Sequence, residues 1–286
     1  MRPIALSLPL SLPLSVLALA LAAAPTARAD DGRACAHEAP QSLALDIGDA
    51  RTIEFHVGNG QLRLDGQPGR TGGLSGRACG SSAGELSRLR IEQSREGDTL
   101  VVRMVREDRT GWSLGNRYAY LDLAGSVPDG LQVEVSVGSG DVRATGLAAL
   151  GLTVGSGDAG ARRIRGAVEA RVGSGDITLA DIGSLDLGSI GSGDADVRGV
   201  RGDARVGSVG SGDLELADVG GSVDVGSLGS GDIELQRIAG SVVFGSVGSG
   251  DVDIDGVGGD LRVRALGSGS VDHAGVKGRV ELPRKR

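Results

Sequence analysis

The sequence predicts an all-β protein, most of it a parallel β-helix of about eight coils that follows an N-terminal cap region of β-strands. Three observations lead to this fold. The tetrapeptide Gly-Ser-Gly-Asp occurs seven times, at separations of 17, 18 and 18 residues and then of 19. Apolar residues spaced by two lie between the copies, as they do in half-buried strands. The 286 residues also include 51 glycines, which disfavour a helical solenoid.

Residues 1–29 have the pattern of a signal peptide. Arg2 precedes an apolar run over residues 4–24, and Ala27-Arg28-Ala29 places small residues where a signal peptidase cleaves. Prolines interrupt the run and no second apolar stretch follows it, so we expect no membrane span after cleavage. The sequence therefore predicts an exported protein, either periplasmic or secreted to the cell surface.

Residues 30–130 read as a β cap region in front of the repeats. Segments 43–47, 52–57 and 99–105 alternate apolar with polar residues and are separated by turn-forming residues. Cys35 and Cys79 are the only cysteines, and an even number in an exported chain predicts one disulfide. A cross-link over a loop of this size stabilises the fold by about 4 kcal/mol in the chain-entropy description.

Aromatic residues gather just before the repeats. Trp112, Tyr118 and Tyr120 lie close in sequence to Arg109 and Arg117. The first coil of a solenoid needs a cap, so our main interpretation is that these side chains cover the open end. The alternative is a small patch that binds a glycan or a peptide.

Residues 131–280 form the repeat domain. Six positions in each 19-residue copy are apolar, in two pairs spaced by two and two single positions, which predicts a coil with an apolar interior. At about 3.3 Å per residue such a coil has a perimeter of roughly 60 Å, which fits three short sides. In the tetrapeptide we expect the glycines to adopt positive φ and the Ser and Asp side chains to cap backbone N–H groups at a corner.

Stacked coils bring acidic residues of successive copies together. The aspartate of each tetrapeptide would form one column, and an acid two residues later would form a second. Hard cations such as Ca²⁺, or a cationic partner, are the ligands that such a stripe would attract. The predicted stripe consists of Asp194, Asp196, Asp213, Glu215, Asp232, Glu234, Asp251 and Asp253.

Charge and histidine content exclude other classes of function. The net charge is −7, with a basic tail at residues 281–286, and few aromatic residues accompany the bases, so nucleic-acid binding is not expected. The only histidines are His37, His56 and His273, and none has a nucleophile beside it in a catalytic pattern. We therefore expect no enzyme activity and no cofactor other than Ca²⁺.

The repeats resemble a known group of exported proteins. Val127-Pro128-Asp129-Gly130-Leu131 and the Val-Gly-Ser-Gly-Asp-Val copies, as at Val137 to Val142, are similar to the bacterial putative-adhesin family of β-strand repeats, related to head GIN-domain proteins. The resemblance covers roughly residues 40–280. It implies an exported β-helical protein of the cell envelope and no catalytic residues.

The sequence predicts an adhesin-like scaffold or interaction module that binds an envelope or surface ligand of unknown identity and acts without catalysis. One alternative is an envelope module that binds Ca²⁺ or a cationic partner through the acidic stripe. A third is a β-helical enzyme that acts on polysaccharides, which would place acids along one side of the rod. The oligomeric state is left open.

Overall fold

The computed structural model describes residues 35–107 and 117–283. The predicted signal peptide, Arg109, Trp112 and the basic residues 284–286 lie outside this part of the chain. Among the described residues, no helix has the length and the apolar character that a membrane crossing requires. The described chain is built almost entirely of strands, with one short helix, α1 (Ala83–Leu86).

The strands follow one another along the whole described chain. In chain order they are β1 (His37–Ala44), β2 (Thr52–Val57), β3 (Gln61–Gln67), β4 (Gly73–Gly80), β5 (Leu89–Glu96), β6 (Thr99–Arg106), β7 (Ala119–Pro128), β8 (Gln132–Val137), β9 (Asp141–Thr145), β10 (Ala149–Val154), β11 (Ala159–Val172), β12 (Ile177–Ile190), β13 (Ala195–Val200), β14 (Ala204–Val209), β15 (Leu214–Val219), β16 (Val223–Leu228), β17 (Ile233–Ile238), β18 (Val242–Val247), β19 (Asp251–Val257), β20 (Leu261–Leu266), β21 (Ser270–Val276) and β22 (Val280–Glu281).

These strands pair in two parallel ladders, which confirms the predicted stack of parallel coils. Ladder one has the order β6, β2, β8, β10, β11, β12, β14, β16, β18, β20 and β22. Ladder two has the order β7, β3, β9, β11, β12, β13, β15, β17, β19 and β21. β11 and β12 belong to both ladders because each continues around a corner.

Most of the described coils have two strands, those of β11 and β12 have one continuous strand, and none has the three separate sides expected from its perimeter. The strands bend in the middle instead. In ladder two, one residue in a coil is skipped in the pairing with the neighbouring strands, as Asp218 and Arg237 are. These two residues have φ of +58° and +55°. From β9 onward, such a left-handed residue occurs once in each coil, five positions after the last residue of the tetrapeptide or of its eighth copy, at Gly146, Arg163, Asp181, Gly199, Asp218, Arg237, Gly256 and Gly275.

The glycines of the tetrapeptide do not have positive φ, so that prediction was wrong. Their role is close packing between coils. A Cβ on Gly212 would lie 1.8 Å from the carbonyl oxygen of Gly193 in the preceding coil, and one on Gly231 would lie 1.9 Å from that of Gly212. Because the obstacle is backbone, no side chain can move aside to relieve it. The second glycine is therefore required wherever one corner stacks on another.

The interior is apolar, as the repeat pattern predicts. In the coil that contains β16 and β17, the six predicted positions are all buried. Each lies in register with an apolar residue of the next coil, as Val225 does with Phe244. Burial of one such side chain contributes about 1.5–3 kcal/mol, and a single coil could not bury its own apolar face without its neighbours.

Antiparallel strands lie at the N-terminal end of both ladders. β4 pairs with β7 and β1 pairs with β4 beyond ladder two, while β5 pairs with β6 beyond ladder one. The predicted disulfide between Cys35 and Cys79 is present and joins the residues before β1 to β4. The chain therefore secures its outermost strand by a covalent bond.

A buried carboxylate lies in this N-terminal region. Glu85, in α1, is 4% exposed at its side chain and accepts hydrogen bonds from Arg88 and Arg106 at 3.2 Å, with Arg117 at 3.7 Å. Ser82 caps α1 by accepting a hydrogen bond from the Glu85 backbone N–H. Burial opposes ionisation, but the three guanidinium groups together outweigh it and hold the pKa of Glu85 below its ordinary value.

This arrangement makes part of the stability dependent on pH. A lowered carboxyl pKa contributes stability above the ordinary glutamate value of about 4.3, and this stability is lost as pH falls through the folded-state pKa. We expect Glu85→Gln to unfold at a lower urea concentration than wild type at pH 7, with a smaller difference below about pH 4. The exposed Glu92→Gln is the control, and equal pH profiles for both variants would contradict the assignment.

Candidate functional site

Two columns of polar side chains run along ladder two and the corner before it. We call the column formed by the last five tetrapeptide aspartates the corner column; its members are Asp176, Asp194, Asp213, Asp232 and Asp251. The outer column lies two residues further along each coil. Its acidic members are Asp196, Glu215, Glu234, Asp253 and Asp272, and each is in register with the next.

The corner column is tied to the backbone. Oδ1 of Asp213 accepts a hydrogen bond from the N–H of Asp232 at 2.9 Å, and Oδ1 of Asp232 accepts one from the N–H of Asp251 at 3.0 Å. The predicted capping by aspartate therefore occurs, but between coils and not within one corner. The serine hydroxyls of the tetrapeptide do not cap N–H groups in this way; Ser268 donates to the hydroxyl of Ser249 at 3.2 Å.

Because its carboxylates bind the backbone of the next coil, the corner column should stabilise the fold more than the outer column does. Asp232→Ala removes the acceptor for the Asp251 N–H, so it should destabilise the fold by about 1 kcal/mol, while Asp232→Asn keeps an oxygen there and should restore most of that loss. Glu234→Ala should change stability by less than about 0.5 kcal/mol. Urea unfolding followed by circular dichroism measures all three. An equal loss of unfolding free energy for Asp232→Ala and Glu234→Ala would show that the corner column stabilises the fold no more than the outer column does.

Within the described chain, three acids of the outer column are hydrogen-bonded to side chains that lie two residues further along a coil. Arg198 donates from Nε to Asp196 at 3.0 Å and from Nη2 to Glu215 at 2.8 Å, and the hydrogen bond to Asp196 is the main reason that the pKa of Arg198 is raised. The amide of Gln236 donates to Glu234. Asp196 and Glu215 are 43% and 37% exposed, so solvent screens these pairs. The column is thus accessible to a partner.

A surface depression lies at the acidic end of the outer column. Its volume is about 300 Å³, and Glu234, Asp253, Asp255 and Asp272 lie around it together with His273. His273 is in register with Ile254 but is exposed, because it lies on β21 near the end of the stack. Four carboxylates lie around this depression, and two of them, Glu234 and Asp253, belong to the predicted stripe.

The acids of the stripe are not gathered around a single point. Within residues 35–107 and 117–283, the one set of three potential ligand atoms within 4.8 Å of one another belongs to Cys35, Glu38 and Cys79. Two of these residues form the disulfide. A cation bound at the depression would therefore have to draw the carboxylates together or bind them through water.

A second hydrogen-bonded column lies at the opposite corner, and the sequence analysis missed it. Oδ1 of Asp203 accepts from the N–H of Ser222 at 2.8 Å, Oγ of Ser222 from Ser241 at 3.1 Å, and Oγ of Ser241 from Asp260 at 3.0 Å. These residues lie nine positions after the last four tetrapeptide aspartates, Asp194, Asp213, Asp232 and Asp251. The signal was the recurrence of Asp or Ser at that position. The column has the same structural role as the corner column.

The predicted aromatic cluster falls partly outside the described residues, at Trp112 and Arg109. Tyr118 and Tyr120 are described, and their ring centroids are 6.0 Å apart. Tyr120 is buried, and the hydroxyl of Tyr118 accepts a hydrogen bond from the N–H of Ala36 at 2.9 Å. Arg117 lies near Glu85. These contacts favour the interpretation of the cluster as a cap.

No family model matches the chain, and no curated protein is similar to it. Among solved structures, a putative adhesin from Parabacteroides merdae is 14% identical over 84% of this chain and 97% of its own, with a TM-score of 0.51. A putative adhesin from Parabacteroides distasonis is 14% identical over 82% of this chain and 97% of its own, with a TM-score of 0.42. The chain therefore has the stacked-strand fold of the P. merdae protein, which confirms at the level of fold the resemblance that its repeats predict.

Proposed function

We propose that this chain is an exported, non-catalytic β-solenoid that acts in the bacterial envelope as a rigid scaffold for adhesion. The observation that carries the proposal is the acidic part of the outer column, a line of solvent-accessible side chains from Asp196 to Asp272 with one on each successive strand of ladder two from β13 to β21. A stacked solenoid holds such a line rigid at about 4.8 Å per coil. Repetition on a rigid support suits attachment to polymers, whose groups also repeat.

Export and the absence of catalysis are parts of the same proposal. The signal-like residues 1–29 and the Cys35–Cys79 disulfide both favour an oxidising compartment outside the cytoplasm. His37 and His56 lie on β1 and β2 at the N-terminal end of the stack, whereas His273 lies on β21 at its C-terminal end, so the three histidines do not share one site. The corner carboxylates are used by the backbone, which leaves them poorly suited to acid–base chemistry.

The test uses the purified chain, intact bacterial cells and an array of envelope glycans. Adhesion predicts binding to cells or glycans with no release of shorter sugar chains. Glu234→Lys reverses a charge in the outer column, and Glu169→Lys makes the same change on an exposed position of ladder one. Asp213 and Asp232 are left unchanged because they hold the corners.

We expect Glu234→Lys to lower adhesion at least about fivefold and Glu169→Lys to leave it within about twofold, with unchanged circular dichroism for both. Release of sugar fragments without added enzyme would overturn the non-catalytic proposal and support a polysaccharide-active protein. Equal adhesion by all three proteins would overturn the role of the outer column.

A second candidate function is the binding of Ca²⁺ or a cationic partner at the acidic stripe. The observation in its favour is the depression surrounded by Glu234, Asp253, Asp255 and Asp272. Hard cations prefer such oxygen ligands. Calorimetry with Ca²⁺ at physiological salt should give heat and a raised melting temperature, and both should be lost in Asp253→Asn. No heat and no thermal stabilisation would remove this candidate.

A further inference from the structure

The outer column does not begin with acids. Traced toward the N-terminal end of ladder two, the register continues from Asp196 to Thr178, Gly160, Arg143 and Arg63. The adjacent column lies two residues further along each coil. In the same order of levels, it has Ala180, Arg162, Thr145 and Asp65. The same face of the solenoid therefore changes from basic to acidic along the stack.

A surface groove of about 400 Å³ lies at the basic end. It exists because Gly160 has no side chain and Ala180 only a methyl group, where neighbouring levels have longer side chains. A Cβ added to Gly160 would meet no atom closer than 3.9 Å, and that atom is Cγ of Arg143. Packing between coils therefore does not require this glycine, in contrast to the glycines of the tetrapeptide.

Three arginines line the groove without a carboxylate partner. Nη2 of Arg63 donates to Oε1 of Gln61 at 2.9 Å, and Nε of Arg162 donates to Oγ1 of Thr145 at 3.3 Å. In the part of the chain that the structure describes, neither these two arginines nor Arg143 forms an ion pair. Asp65 also lines the groove, without pairing to any of them.

Arg63 and Arg143 are direct neighbours on adjacent parallel strands. Like charges directly opposite each other on neighbouring strands repel, and where the same face carries Arg198 two carboxylates, Asp196 and Glu215, lie beside that arginine. A bound anion would relieve the repulsion at the basic end. The combination of a recess and unneutralised arginines is what distinguishes this site from an ordinary charged surface.

We propose that this basic groove binds a saccharide that carries an oxyanion, namely a carboxylate, sulfate or phosphate group. Guanidinium groups bind such oxyanions with paired hydrogen bonds, and the hydroxyls of Thr145 and Thr178 can bond sugar hydroxyls. The volume lies in the range of small-ligand sites. Among the residues that the structure describes, no aromatic ring lines the groove, so these residues would give a neutral sugar little to stack on. The inference deepens the proposed function, because it names the ligand class of an adhesive surface.

The other occupant to consider is the acidic end of a second copy. That end presents the short side chains of Asp253 and Asp272 on a sheet face of its own, and short side chains on a sheet do not enter a recess. A flexible sugar chain does. The observations therefore favour the saccharide, and self-association becomes an outcome of the test.

The test is calorimetry at low salt with the full mature chain. The probes are a galacturonate tetramer, a heparin tetrasaccharide, glucose 6-phosphate and inorganic phosphate, with maltotetraose as the neutral sugar. Arg143→Glu removes an arginine of the groove, and Gly160→Leu fills the recess while all three arginines remain. Arg171→Glu is the matched control, since Arg171 is exposed on ladder one and makes no ion pair among the described residues.

We expect at least one acidic saccharide to bind wild type, and Arg143→Glu and Gly160→Leu each to weaken it by about tenfold or more. Arg171→Glu should stay within about twofold. An equal loss in Arg171→Glu, equal binding of maltotetraose, or binding of inorganic phosphate as tight as that of every sugar would overturn the proposal. So would the absence of binding by every acidic probe, with circular dichroism confirming that the proteins are folded.

Sedimentation of the same proteins tests self-association. A wild-type dimer that Arg143→Glu converts to a monomer would assign the groove to a second copy and overturn the saccharide proposal.

The calorimetric test of the groove is independent of the adhesion assay. Short acidic sugars can bind the groove even if the chain fails to attach to cells, and attachment through the outer acids can persist in Gly160→Leu.

Discussion

The Gly212→Ala variant should lose about 3 kcal/mol or more of folding free energy, a large effect for one methyl group. The added Cβ would lie 1.8 Å from the carbonyl oxygen of Gly193 in the preceding coil. Relief requires the two coils to move apart, and this movement stretches the hydrogen bonds of the corner on both sides. Urea unfolding followed by far-ultraviolet circular dichroism measures the loss.

Gly160→Ala is the matched control for this prediction. It adds the same methyl group to a glycine of the same solenoid, where the nearest atom would be 3.9 Å from the new Cβ. Its stability should lie within about 1 kcal/mol of wild type, with a gain favoured because alanine restricts the unfolded chain. If both variants lost the same free energy, strand propensity and not the stacking of coils would explain the glycines.

The Phe244→Ala variant should lose about 3–5 kcal/mol. Phe244 is 0% exposed and lies in register between Val225 and Val263 in the adjacent coils. The strand spacing of about 4.8 Å is set by backbone hydrogen bonds, so the neighbouring coils cannot close the cavity that the ring leaves. Denaturant unfolding measures the loss directly.

Two further variants check that burial is the cause. Val243→Ala changes the adjacent residue of β18, whose side chain points outward and is half-buried, and it should cost less than about 1 kcal/mol. Phe244→Leu keeps most of the apolar volume and should recover more than half of the loss. A loss at Val243 as large as that at Phe244 would contradict the assignment of the two faces.

The interior of the solenoid could be predicted from the sequence. Val223, Val225 and Leu228 repeat their apolar character in every 19-residue copy, and this repetition is visible without coordinates of any kind. All three are buried. The prediction succeeds because a strand alternates its side chains between two faces, which makes the buried face readable from spacing alone.

The conformation of the corners could not be predicted in the same way. Glycine suits both positive φ and close backbone approach, and the sequence does not separate these causes. The structure assigns close approach to the tetrapeptide glycines and positive φ to a different position, occupied by Asp218 and Arg237 in two of the coils. Arg237 and Asp218 pair through their side chains, and their hydrogen bond lowers the pKa of Asp218.

The acidic stripe was predicted as two columns on one face, and the structure shows that the aspartates of the corner column accept hydrogen bonds from the backbone of the next coil. The stacking of its acids follows from the repeat length, but the backbone bonds of Asp213 and Asp232 depend on which carboxylate oxygen faces the next coil. The basic groove escaped the sequence analysis because Arg63 lies in the first 130 residues and Arg143 in the repeats. Only the pairing of β3 with β9 makes them neighbours.

The sequence by itself determined the coil length, the apolar interior, the pairing of the two cysteines and the recurrence of acids along one face. These properties are periodic or depend on composition, so spacing reveals them. Only the tertiary structure decided which carboxylates serve the backbone, where the chain adopts positive φ, and how Arg63, Arg143 and Gly160 come to form a groove. Those properties depend on the register between strands far apart in sequence, because side chains meet across hydrogen-bonded strands and not along the chain.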